Sequence, residues 1–157
     1  MASPRRALAE AILAAGLAAS EDLAFSMDHE GFGDIRRSDW SLLRLAHREL
    51  MPVGALALRL DITQQATTKA LRALEDREYV CRAVAARDGR IREVTLAPRG
   101  RDLLAAADAW AVEHQRFAVA RWGSRKVQSA TTLLSDFETT AERFSPVGRN
   151  LRAAVER

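Results

Sequence analysis

Cysteine is nearly absent: Cys81 stands alone among 157 residues. A lone thiol excludes an intrachain disulfide framework and fits a reducing compartment, so a cytoplasmic location is expected. Histidine is as sparse. His29, His47 and His114 lie far apart, with no HExxH pattern and no Cys/His cluster at zinc-ligand spacing. No uncharged run approaches the roughly 20 residues that span a bilayer, so no membrane partner is expected. A nucleophile elbow, a phosphate loop and a paired-acid constellation are missing as well. Asp88 falls in a turn and Ser135 along a helix, so neither supports catalysis. The expectation is no metal, no cofactor and no enzymatic activity.

The opening MASPRRALAEAILAAGLAAS imitates a secretory leader, with basic, apolar and small-residue parts in that order. Glu10 interrupts the apolar part, however, and Leu8, Ile12 and Leu23 suit one face of an amphipathic helix. A helix is expected there. Lys plus Arg number 24 and Asp plus Glu 21, a net charge of +3 that excludes little. Its distribution is more informative. Residues 7–35 hold Glu10, Glu21, Asp22, Asp28, Glu30 and Asp34 with no Lys or Arg, whereas residues 62–101 hold nine basic residues against five acidic ones. One end of the fold repels nucleic acid and another attracts it.

The length fits one domain, 1–157. Its expected organisation is mainly α with a small β hairpin. After a basic arm over residues 1–6, a first Ala-rich helix runs from about Arg6 to Asp28 and needs a partner, either the C-terminal helices or a second subunit. A second helix begins near Ser38, and a third, short one runs from about Pro52 or Val53 to Arg59. Asp61-Ile62-Thr63 makes a tight turn, without the glycine often found there, into a fourth helix capped by Thr63. Two β-like runs, Tyr79–Ala85 and Ile91–Leu96, flank a basic turn at Asp88-Gly89. Pro98 suits the start of a long helix to Trp122, and a last helix spans about Ser124 to Phe144. The pattern reads as a winged helix-turn-helix over residues 36–100, with dimerisation helices from 7–30 and 101–157.

Polar residues crowd the start of the fourth helix. Gln64, Gln65 and Thr68 suit DNA base edges, since Gln pairs with adenine and Thr meets either a polar edge or the thymine methyl. Thr63, Thr67 and Lys69 suit the phosphate backbone, helped by helix N-terminal amides. Arg87, Arg90 and Arg92 form the wing, with Arg90 suited to a narrow minor groove and Asp88 supporting an arginine or the turn. The plainer reading is a helix cap and an ordinary wet face beside a solvated hairpin.

These features resemble the MarR family of bacterial winged-helix regulators. That family places a Ser or Thr before the recognition helix, then a Thr-x-x-Arg-like segment, Leu-x-x-Leu-Glu, and Leu-Val or Tyr-Val entering the wing. The matching residues are Thr63, Thr67 through Leu71, Leu71-Arg72-Ala73-Leu74-Glu75 and Tyr79-Val80. A wing Asp-x-Arg and a Leu-Thr-x-x-Gly boundary correspond to Asp88-Gly89-Arg90 and Leu96-Ala97-Pro98-Arg99-Gly100, with Ala97-Pro98 a departure. Gly54-Ala55-Leu56-Ala57-Leu58 departs from the family's Glu-Leu-Ala before the turn. The resemblance implies a homodimer on double-stranded DNA, a repressor of a palindromic operator relieved by a small aromatic or phenolic effector. The alternative is a winged-helix interaction or accessory dimer without a specific operator.

Phe25, Met27, Trp40, His47, Trp110 and His114 are the candidates for an effector pocket, although helical spacing does not establish that they converge. Cys81, which alternation from Val80 turns toward solvent and which neighbours Arg82, is a candidate redox thiol.

Overall fold

The computed structural model describes residues 4–48, 50–84 and 92–144. Helix α1 (Pro4–His29) starts at Pro4, so the helix already includes the end of the stretch expected as a basic arm. Of its described side chains Met27 alone is buried, while Leu13 and Phe25 are exposed. Helix α2 (Asp39–Arg48) is amphipathic and turns Leu42, Leu43 and Ala46 inward at helical spacing.

Three strands form one antiparallel sheet in the order β1-β3-β2. Strands β2 (Val80–Val84) and β3 (Arg92–Leu96) are the expected hairpin, with Val80 opposite Leu96 and Val84 opposite Arg92. Strand β1 (Met51–Pro52) is an addition to the expected architecture and places Met51 against Val94 and Pro52 against Glu93. Pro52 has no N–H to give, which suits an edge strand. Alternation sends Val80, Val94 and Leu96 into the core and leaves Cys81 exposed.

Helices α3 (Val53–Leu60) and α4 (Gln64–Asp76) meet at a tight turn. Asp61 takes the left-handed conformation there, φ 51° and ψ 43°, and the Ile62 N–H reaches back to the Ala57 carbonyl at 3.1 Å. Asp enters that region more readily than most side chains, so the turn does without a glycine. A similar closure ends α4. Glu78 has φ 62°, and the Tyr79 N–H donates to the Leu74 carbonyl at 2.9 Å.

Helix α5 (Pro98–Trp122) opens on its proline, and Gly123 separates it from α6 (Ser124–Phe144). Gly100 lets α5 approach the backbone beneath it closely: a Cβ there would lie 2.1 Å from the Tyr79 carbonyl oxygen. That oxygen also accepts the Ala97 N–H at 3.0 Å. Leu43, Leu56, Leu71, Leu74, Tyr79 and Leu103 meet in the core, fully shielded from solvent. Among the described residues, no helix is long and apolar enough to cross a membrane.

Candidate nucleic-acid interface

Thr63 has an extended backbone and its Oγ1 accepts the Ala66 N–H at 3.1 Å, so it caps α4 as its residue type predicts. The inward stripe of α4 is Thr67, Leu71 and Leu74. The outward face carries Gln64, Gln65, Thr68, Lys69, Arg72 and Asp76, which border one open surface hollow. The amides of Gln64 and Gln65 lie in the first turn, where helical N–H groups have no partner within the helix and favour anions.

Thr67 is a correction. Its side chain is 0% exposed and its hydroxyl donates to the Thr63 carbonyl at 3.1 Å, so it belongs to the core and does not face a phosphate. Four residues before Leu71 and seven before Leu74, it falls on the buried stripe. Thr68 is half-buried, and its hydroxyl donates to the Gln64 carbonyl at 2.8 Å. What it leaves for another group is an acceptor lone pair and a methyl. Arg72 is the residue the sequence reading missed. It lies three residues after Lys69 and four after Thr68 on the same exposed face, and it forms no ion pair among the described residues. The helical period alone carried that signal.

Arg87, Asp88 and Arg90 lie outside the described residues. Arg92 opens β3, and its side chain is also outside them. At the described root of the hairpin, Arg82 Nε donates to Glu75 Oε1 at 2.8 Å and ties β2 to α4. Beneath the end of α4, the Tyr79 hydroxyl donates to Asp34 Oδ1 at 2.6 Å. Burial, then the hydrogen bond to Asp34 and that carboxylate's charge, push the Tyr79 phenol up to about 12, against the opposing charges of Arg99 and Arg77.

The six candidate pocket residues do not form one pocket within the chain. Met27 is core, Phe25 is exposed and meets His29 in a tilted contact with ring centroids 4.2 Å apart, and His47 is exposed on α2. Trp110 and His114 do meet: Trp110 Nε1 donates to Asp22 Oδ2 at 2.8 Å, and His114 Nε2 lies 2.8 Å from the same oxygen. Trp40 lines a different cleft of about 330 Å³, between α1 and α2, with Leu23, Ala24, Ile35, Arg37 and Arg44. Among the described residues, no group of three or more His, Cys, Asp or Glu could hold a metal ion.

Comparison with known proteins finds a family likeness over part of the chain. Residues 34–91, the segment from the loop before α2 into the hairpin, match the model of the MarR family. No curated protein matches the chain. Among solved structures, FabT of Streptococcus pneumoniae in complex with DNA superposes with a TM-score of 0.77 at 13% identity, covering 90% of this chain and 99% of that one. A mutant MepR from a multidrug-resistant clinical isolate of Staphylococcus aureus gives 0.64 at 17% identity, covering 90% and 99%. A MarR-family protein of Mycobacterium tuberculosis in complex with salicylic acid gives 0.58 at 23% identity, covering 83% and 95%. At such identities these likenesses speak for the shared fold.

Proposed function

We propose that this chain, whose residues 34–91 match the MarR family model, is a homodimeric transcriptional regulator that binds a palindromic operator in double-stranded DNA and represses by occupying it. One observation carries the reading. The second helix of a helix-turn-helix presents an exposed face of Gln64, Gln65, Lys69 and Arg72 that no other part of the described fold covers. Gln64 and Gln65 read base edges, with Thr68 contributing its methyl and acceptor, while Thr63, Lys69 and Arg72 hold phosphates. The wing arginines Arg87, Arg90 and Arg92 serve the DNA backbone and a flanking minor groove, Arg90 foremost. FabT, which shares the fold, was solved with DNA.

The second copy follows from what one copy leaves exposed. Leu13, Leu17 and Phe25 on α1, Phe117 and Trp122 on α5, and Leu133, Leu134 and Phe137 on α6 all face solvent. Such apolar surface on three long helices is a dimer face. Two recognition helices then meet successive major grooves about 34 Å apart.

The cleft beside Trp40 supports a small aromatic acid as effector, with an apolar floor of Leu23, Ala24 and Ile35 and two guanidinium groups at Arg37 and Arg44 for a carboxylate. The relative from Mycobacterium tuberculosis was solved with such a molecule. Salicylate titrated against the protein should quench Trp40 fluorescence and release bound duplex. Quenching that persists unchanged in Trp40→Phe would place the ligand elsewhere.

The DNA reading is tested by titrating a duplex recovered from random sequence at several salt concentrations. Lys69→Ala should weaken all duplexes alike and reduce the log–log salt slope by about 1. Gln65→Ala should leave the slope alone and cost about 1–3 kcal/mol of discrimination at one base pair. Retention of full discrimination by Gln65→Ala would remove that residue from base readout.

A further inference from the structure

The C-terminal end of α4 is held by a set of contacts unrelated to its outward face. Arg77, the residue after the helix, donates from Nε to the Ala73 carbonyl at 2.8 Å, from Nη1 to the Asp34 carbonyl at 2.6 Å and from Nη2 to Asp39 Oδ2 at 2.9 Å. Arg99, in the first turn of α5, reaches the same place: its Nη1 donates to the Arg77 carbonyl at 3.3 Å, and its Nη2 to Asp34 Oδ1 at 3.0 Å. Tyr79 lies between them, with the Arg99 guanidinium 4.7 Å and the Arg77 guanidinium 5.7 Å from its ring centre. Its hydroxyl shares Asp34 Oδ1 with Arg99. The loop after α1, the end of α4 and the start of α5 are thus joined at one point.

The largely buried Arg77–Asp39 pair, with side chains 20% and 7% exposed, contributes to stability, but the link to α5 does so less. The Arg99–Asp34 pair has side chains 35% and 39% exposed, and pairs so open to water contribute little. What a planar, forked guanidinium does well is fix direction. Direction matters because α4 is a lever. Its 13 residues make it about 20 Å long, so a tilt of about 5° at the held end moves the reading end by roughly 2 Å, enough to break a hydrogen bond.

We propose that Asp34, Arg77 and Arg99 are positioning residues that set the angle of the recognition helix against α5, and so the spacing and attitude of the two recognition helices of a dimer on DNA. The proposal rests on the DNA-binding reading. It also predicts a sign that charge does not. Asp34 repels phosphate, so its removal favours DNA binding electrostatically, whereas loss of positioning weakens binding to the preferred site only.

The test compares Asp34→Ala, which removes the shared acceptor, with Asp34→Asn, which removes the charge and keeps an acceptor oxygen. Affinities are measured per folded dimer for the duplex selected by the wild type and for a scrambled duplex. Asp34→Ala should lose about tenfold on the selected duplex and nothing on the scrambled one, while Asp34→Asn stays within about twofold of wild type on both. Asp34→Ala binding the selected duplex as the wild type does, or weakening both duplexes equally, overturns the proposal. If the wild type prefers no duplex, the DNA reading fails on its own and the joint is judged by amide hydrogen exchange. Exchange must then rise together in the last turn of α4 and the first turn of α5 in Asp34→Ala but not in Asp34→Asn. Unchanged or uncoupled exchange overturns it.

Discussion

Replacing Gly100 with alanine sets two physical arguments against each other. Helix propensity favours the change by up to about 1 kcal/mol, because glycine loses the most backbone entropy on entering a helix. The packing opposes it. The new Cβ would sit 2.1 Å from the Tyr79 carbonyl oxygen, 3.0 Å from its carbonyl carbon and 3.3 Å from Leu96 Cδ2. Two of those atoms are backbone at the junction of α4 and β2, so no side chain can swing aside. Reaching ordinary contact at 3.4 Å moves α5 or the junction by about 1.3 Å. That displacement stretches the Ala97–Tyr79 hydrogen bond, now 3.0 Å, worth about 1 kcal/mol. Overpacking of this kind costs about 1–3 kcal/mol. The net expectation is a loss of about 1–3 kcal/mol, or roughly 3–9 °C in the unfolding midpoint for a chain of this size. Thermal denaturation followed by circular dichroism at a fixed protomer concentration measures it, since dimer stability depends on concentration. An unchanged or higher midpoint would refute the reasoning, because it would mean that α5 meets the sheet with room to spare.

Two further perturbations probe the same region. Tyr79 is the chain's single tyrosine, so tyrosinate absorbance reports it alone, and its midpoint should lie at about 12 instead of the ordinary 10.0. The folded state holds the proton that the unfolded state gives up, so this group's stabilisation is complete below pH 10 and declines as pH rises through 12; a midpoint near 10 with helicity intact contradicts the buried, hydrogen-bonded phenol. Thr67→Val keeps the shape of a buried side chain and removes one hydroxyl-to-carbonyl hydrogen bond, so it should cost about 1 kcal/mol of stability and leave DNA affinity within about twofold. A large affinity loss per folded dimer would return Thr67 to the interface.

Much of the fold was legible because local chemistry and packing agree at particular residues. Thr63 caps the helix it was expected to cap, Pro98 opens α5, and the buried side chains of α2 and α4 recur at the helical period. Strand β1 was hidden because two residues show no alternation and their partners, Val94 and Glu93, lie more than forty positions away. Thr67 was misplaced because a polar residue beside Gln64, Gln65 and Thr68 was read by its type, although its spacing from Leu71 and Leu74 puts it inside. Arg72 was overlooked for the converse reason, since its spacing from Thr68 and Lys69 was available. The aromatic residues show a limit of another kind. Spacing orders side chains around one helix, but not across helices, so nothing in the chain revealed that Trp110 and His114 meet at Asp22 while Trp40 lines a separate cleft. The joint at Asp34, Arg77 and Arg99 spans three distant stretches and has no local signature.

Selection from a pool of random duplexes with the wild-type protein tests the central claim most directly. One palindrome with half-sites about one helical turn apart should be enriched, bound by a single dimer and weakened by salt and by Arg72→Ala. Recovery of no motif, with only weak salt-sensitive binding to every duplex, would contradict that claim and point to a winged-helix dimer whose specific partner is another macromolecule.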